Sequence, residues 1–400
     1  MRGIAVWLAL LGLAAGVPLG AQNAQGAFVV TLGHDTIVIE QYKRSGVSVE
    51  GDMLIRSSAA VIQRHYTGTL NANGTMAHFE MTNKNISNPQ APVTKFVVAF
   101  GDTTQVDVTR DTAHNTIKVP TPGGALPFIN FSYDMYELYG RRAVLSRHDT
   151  VATLPLGASE VTKLIARHPA GDSLTVSFEN DPPTLFAVNA AGEIQRVDGR
   201  FTTQKVRSAR LASVDLAALS SAFAARPLGQ LSPPDSVKGA VGGAAVLIEY
   251  GRPSMRGRVV FGPEGGSPRP VVPYGQVWRT GANFATRFTT SGDLSVGGQT
   301  IPAGTYTLWT LPQAGGWKLI FNKQTKAPCA DAAACADPKR AKLWGTDYSA
   351  DSDFVRVDMQ VAATAQPIEQ FVITLEPQGD NATLAVSWEK TRASVSLAKK

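Results

Sequence analysis

The segment VPYGQVWRTGANFAT, residues 272–286, places Tyr274, Trp278, Arg279 and Asn283 within ten positions. A guanidinium is a planar fork of donors that fits a carboxylate or a phosphate, and an indole face beside it stacks on a flat ring. Just upstream, YGRPSMRGR supplies Arg252 and Arg258. Arg252, Arg258, Tyr274, Trp278, Arg279 and Asn283 form the candidate ligand-binding set. The chemistry they point to is capture of a small anionic or carbohydrate-like ligand. Trp309 and Trp344 offer more stacking surface, and Glu249, Arg287, Asn322, Lys323, Asp347 and Tyr348 are polar residues at comparable strand ends. The same residue types also fit a framework. Arg279 would then pair with Glu249 or Asp347 to fix a loop, Trp278 would sit in the core, and Arg252 would bond the carbonyls left where Gly251 ends a strand. Both readings stand at this level.

Conventional catalytic constellations are absent from the sequence. It holds no HExxH, GxSxG, P-loop, dinucleotide Gly fingerprint or CxxC. The six histidines (34, 65, 78, 114, 148 and 168) all precede residue 169. A Ser-His-Asp or His-metal site in the C-terminal half is therefore excluded, and catalysis there would need a tuned carboxylate, Lys or Tyr. His34-Asp35, His114 and His148-Asp149 fall at turns, where exposed histidines are the plainer expectation than a metal site. Asp102, Asp107 and Asp111 lack the spacing of a calcium loop. No catalytic residue, metal or cofactor is assigned. A non-catalytic binding module leads, and a carboxylate-based hydrolase stands third.

The elements that must position these residues are mostly strands. Residues 26–210 read as strand after strand, with Gly-Asp, Asn-Gly and Ala-Gly turns every 8 to 12 residues, which indicates an antiparallel barrel or sandwich. SVDLAALSSAFAAR, residues 213–226, reads as a helix with Leu216, Leu219 and Phe223 on one face. With the Pro/Gly/Ser-rich stretch that follows, residues 211–241 form a helix and linker. From 242 to 400 the strands resume with period-two alternation: Val355, Val357, Met359 and Val361; Leu384, Val386 and Trp388; Trp317, Leu319 and Phe321. About eight strands there fit a β-sandwich or jelly-roll-like domain. The fold class is mainly β.

Residues 1–21 read as a signal peptide: Arg2, an apolar run of about fourteen residues, then LGAQ with cleavage after Ala21. Export to the periplasm or medium is expected, with no transmembrane segment in the mature chain. The net charge of +6 is scattered rather than clustered, so nucleic acid is not an expected partner. Cys329 and Cys335 are the two cysteines, and in an exported chain they read as one local disulfide.

The blocks VLIEYGRPSMRGRVVFG, VPYGQVWRTGANFAT, VGGQTIPAGTYTLWTLP, WKLIFNK, WGTDY, DFVRVDM and LAVSWEKTRASVSL occur in an order that resembles an exported bacterial family, domain of unknown function 2911. The resemblance covers residues from 246 onward and implies a fold but no chemistry. The Cys-bearing stretch before LWGTDY departs from it. By strand pattern, the N-terminal region is similar to lipoprotein-carrier-type half-barrels. That likeness implies the alternative function: a cell-envelope accessory protein whose N-terminal barrel holds a lipid or other apolar ligand.

Overall fold

The structure is a computed structural model that describes residues 23–179, 181–327 and 342–400. Residues 1–21, expected to be a signal peptide, and Cys329 and Cys335, expected to form a disulfide, lie outside the described residues.

The described residues of the N-terminal domain contribute fifteen strands to one sheet. Eight of them, from Ala24–Leu32 to Ala113–Pro120, follow one another as an antiparallel meander, so the eighth is an edge. The opposite edge is Leu126–Phe128, paired in parallel with Thr150–Pro155. From there the meander returns, and Arg207–Leu211 closes it against the first strand. The order runs edge to edge, so the sheet is open rather than a closed barrel.

One helix fills the inside of this sheet. α1, Tyr133–Ser146, buries Tyr133, Met135, Tyr136, Leu138 and Tyr139 in the same core as Phe28, Tyr66 and Phe79. The expectation of strand after strand across 26–210 is corrected here. YDMYELYGRRAVLS carries Asp134, Glu137 and Arg141 along one face, but Asp134 and Glu137 turn into the core rather than to solvent.

A buried ionic network clamps α1 to the sheet. Glu40 caps the helix from the second strand, Asp35–Ser45, accepting the N–H of Tyr133 at 2.6 Å and of Asp134 at 3.3 Å. Ser132 Oγ and the Tyr66 hydroxyl meet its other oxygen, the latter at 3.1 Å. Tyr66 reaches it because its ring lies flat over Gly51, its cross-strand partner. A Cβ on Gly51 would sit 2.2 Å from the ring. Arg44 pairs with Glu137 and lies 3.3 Å from Asp134, and Glu137 also takes Arg210 at 2.9 Å and the N–H of Ile194 at 2.7 Å. Glu40, Asp134 and Glu137 are all fully buried.

This network sets a pH dependence. Burial, then the neighbouring Asp134 carboxylate, pushes Glu40 up to about 8. Burial also pushes Asp134 up to about 6, with Arg44 opposing. A carboxyl raised above its unfolded value of about 4 holds its proton more tightly in the folded state. That contribution is complete below the unfolded value and is lost as pH rises through the folded value. The thermal midpoint at constant ionic strength is therefore expected to fall from pH 5 to pH 8. Glu40→Gln keeps an acceptor for the two N–H groups and offers an amide to the two hydroxyls, which can accept. It should flatten the slope between pH 6 and pH 8, and a slope equal to that of the parent would take Glu40 out of the account.

α2, Leu216–Phe223, packs on the outer face of the sheet. Leu216, Leu219 and Phe223 cover Ile39, Leu54 and Val61, as the periodicity of the segment implies. Asp215 caps it by accepting the N–H of Ala218. The stretch after it is tethered: Leu228 N–H bonds Ser57 O at 3.0 Å, and Arg56 Nε bonds Arg226 O at 3.0 Å. Pro234–Val241 already forms a strand, paired with Ala244–Gly251. The linker is thus shorter than the Pro/Gly/Ser composition implies.

The C-terminal domain holds nine strands in its main sheet among the described residues, running from Pro234–Val241 at one edge to Gln299–Ile301 at the other. Asp353–Gln378 pairs first with Gly316–Asn322 and then with Asn381–Lys399, with register shifts after Ala363 and Ile368. Those bulges turn one strand from one layer into the other. The first strand then packs over the last two, with Gly239 against Leu375. The enclosed core holds Trp317, Trp388, Phe288, Phe321 and Phe371. Among the described residues no helix is long and apolar enough to cross a membrane.

Candidate functional site between the domains

Two sequence blocks meet at the seam between the domains. Asn283–Ala285 and Leu343–Gly345 run side by side: Ala285 N–H bonds Leu343 O at 2.9 Å, and Gly345 N–H bonds Asn283 O at 3.0 Å. Phe284 and Trp344 stack edge to face at 5.2 Å, and both remain 39 % exposed.

Arg279 lies across Gly345. A Cβ on Gly345 would sit 2.1 Å from Arg279 Cδ and 2.5 Å from its Nη1. The guanidinium donates to Asn283 O at 3.2 Å and makes no ion pair with a carboxylate of the described residues. Glu249, a partner the sequence offered, is taken by Lys342 at 3.1 Å. Asp347 accepts from Thr346 at 3.2 Å. Burial alone pulls the Arg279 pKa below its ordinary value, and no neighbouring carboxylate offsets that pull. The backbone around it is strained, with Thr280 at φ +53° and Asn283 at φ +65°, conformations that non-glycine residues rarely hold. Gly345→Ala is expected to displace the Arg279 side chain. The new Cβ would also lie 2.7 Å from the Asn283 carbonyl oxygen, so the signature is loss of anion binding together with a lowered thermal midpoint, read by titration and by thermal denaturation.

Arg279 faces a cleft of about 790 Å³. The C-terminal wall carries Arg258, Trp278, Asn283, Trp344 and Tyr348; the N-terminal wall is the turn Phe201–Lys205 with Phe131. Four of the six candidate residues, Arg258, Trp278, Arg279 and Asn283, therefore come together. Arg252 and Tyr274 do not line the cleft. Arg252 pairs with Asp235 at 3.1 Å and bonds Phe371 O at 3.1 Å, which is the framework role. Tyr274 packs against the C-terminal core.

The lining residues differ in freedom. Trp278 stacks on Trp388 at 5.8 Å and donates to Gly281 O at 3.0 Å, so it serves both the core and the cleft wall. Arg258 donates to Met255 O and Ser254 O, and burial pushes it down to about 10. Tyr348 donates to Asp353 at 2.7 Å, and burial with that bond pushes it up to about 12. Gln204 and Lys205, from the other domain, were not singled out in the sequence. They sit on a strand-connecting turn about 75 residues before Arg279, and no local pattern marks them.

A second groove of about 960 Å³ adjoins the cleft and shares Lys205, Arg258 and Val271 with it. Its floor includes the exposed side chains of Leu185, Leu211 and Val259, and its rim carries Arg196, Arg207 and Arg269. The inside of the N-terminal sheet is different. α1 fills it, and a cavity beside Tyr136 and Leu164 measures about 60 Å³, too small for an acyl chain.

No curated protein and no solved structure matches this chain, so the half-barrel likeness of the N-terminal domain finds no support there. Residues 232–397, which carry Arg258, Trp278, Arg279, Asn283 and Gly345, match the model of a family described as protein of unknown function (DUF2911).

Proposed function

We propose that the protein is an exported binding module that holds a small organic anion with a planar group in the cleft between its two domains. The observation that carries this reading is Arg279. It is a half-buried guanidinium, seated on a glycine, without a carboxylate partner among the described residues, and it faces a cleft lined by Trp344 and Trp278. Arg258 and Lys205 bring the same sign of charge. Like charges that share a cleft repel one another, and an anion between them removes that cost. The leader-like residues 1–21 support the exported part of this reading.

Calorimetric titration with phenyl phosphate and with benzoate tests the reading. One site per chain is expected, competed by inorganic phosphate and weakened by salt, as an arginine-held anion requires. Binding that ignores salt, or no saturable binding of either probe, would sink it. A second reading rests on the adjoining groove, whose apolar floor and arginine rim suit an amphiphilic anion. A single-chain fatty acid displaced by dodecyl sulfate but not by benzoate would favour that groove over the cleft.

A further inference from the structure

Lys205 stands where the cleft and the groove join. It ends the turn after Ile194–Asp198, and its backbone is left-handed at φ +58°. A non-glycine residue held there points to a position fixed by its surroundings. Its Nζ donates to the Arg200 carbonyl at 3.0 Å, and among the described residues it makes no ion pair. The acids nearby are already engaged. Asp198 is held by Arg200 at 2.6 Å, Glu264 is reached by Arg269 at 3.4 Å, and Asp35 is held by Arg256. The charged groups that face Lys205 are Arg258, Arg269 and Arg279, all cationic. Arg269 itself lies over the Phe201 ring at 3.5 Å, which fixes it beside the turn. Burial, and then these guanidinium groups, pull the amine down to about 8. A lysine amine short of counter-charge and partly desolvated is a nucleophile near neutral pH.

We propose that Lys205 forms a Schiff base with 2-oxo acids whose carboxylate is held by the guanidinium groups of the cleft. This rests on the anion-binding reading above. The neutral Nζ attacks the carbonyl carbon and a C–N bond forms, while the carbonyl π pair moves to oxygen. The resulting carbinolamine loses that oxygen with both amine hydrogens as one water, leaving the imine, and hydrolysis reverses the step. No oxidant or reductant takes part. Arg258 and Arg279 remain protonated throughout and serve to hold the carboxylate.

The test uses the full chain, phenylpyruvate as probe and cyanoborohydride to trap the imine, with peptide mass analysis. A single adduct is expected on Lys205, at least tenfold above any other lysine. Its rate should rise with pH through about 8 and then level, and excess phenyl phosphate, which has no carbonyl, should suppress it. Lys205→Arg should lose that adduct while keeping the parent's thermal transition. Mapping of the adduct on the parent protein stands even if that variant folds poorly. If phenyl phosphate binds and Lys205 stays unlabelled, or if the label spreads evenly over exposed lysines, the Schiff-base inference falls and the anion reading stands. If phenyl phosphate neither binds nor protects, both fall.

Discussion

Arg44→Ala is expected to cost the N-terminal domain about 3–5 kcal/mol, the range for removing one partner of a buried ion pair. Arg44 is 3 % exposed, and the two carboxylates it faces, Asp134 and Glu137, are fully buried. Glu137 keeps Arg210, Tyr42 and the N–H of Ile194 after the change. Asp134 keeps only the Tyr66 hydroxyl at 3.1 Å, and its Oδ1 has no hydrogen bond even in the parent. The loss therefore falls on the first turn of α1. The two domains can be followed separately, because every tryptophan after Trp7 lies beyond residue 270. Urea denaturation should show the far-ultraviolet circular dichroism midpoint shifting down in the variant, while the tryptophan fluorescence midpoint moves much less. A loss under about 1 kcal/mol would mean that α1 is held by its apolar contacts alone.

Arg279→Ala is expected to weaken phenyl phosphate binding about tenfold to a hundredfold. That is the worth of a charge-assisted hydrogen bond, about 1.5–3 kcal/mol. The variant should keep the stability of the parent to within about 1 kcal/mol, since Arg279 makes one side-chain bond, to Asn283 O, and no ion pair among the described residues. Arg279→Lys should recover only part of the affinity, because an ammonium cannot reproduce the two-pronged fork. A fall in stability without a change in affinity would return Arg279 to the framework. Trp278 is a poorer probe. It packs on Trp388, Phe371 and Phe261, so truncating it costs about 3–5 kcal/mol of folding whatever it does for a ligand.

The sheets were legible because period two survives wherever one face is buried. Leu384, Val386 and Trp388 alternate inward in the last strand, and Trp317, Leu319 and Phe321 do so across the core. α2 was legible for the same reason at a period of 3.6. α1 was not, because its acidic residues Asp134 and Glu137 turn inward to buried arginines instead of to solvent, and its cap, Glu40, lies some ninety residues away. Arg258, Trp278, Arg279 and Asn283 stood out by residue type, and the structure brings them to one cleft. The seat of Arg279 was half visible: WGTDY could be quoted, but only the close approach at Gly345 explains its glycine. Arg252 misled, since YGRP offers the same guanidinium chemistry but spends it on Asp235 and a carbonyl. The half of the site that comes from the N-terminal domain, Phe201 to Lys205, carries no local signal. It is placed by how the domains meet, which periodicity does not encode.

The central claim is the location of an anion in the cleft between the domains. The measurement that tests it most directly is the anomalous signal of 4-iodobenzoate diffused into crystals of the protein. The account predicts a carboxylate on the Arg279 guanidinium and the iodinated ring against Trp344, with the signal lost in Arg279→Ala crystals. Iodine peaks scattered over surface arginines, with the cleft empty at saturating probe, would contradict it.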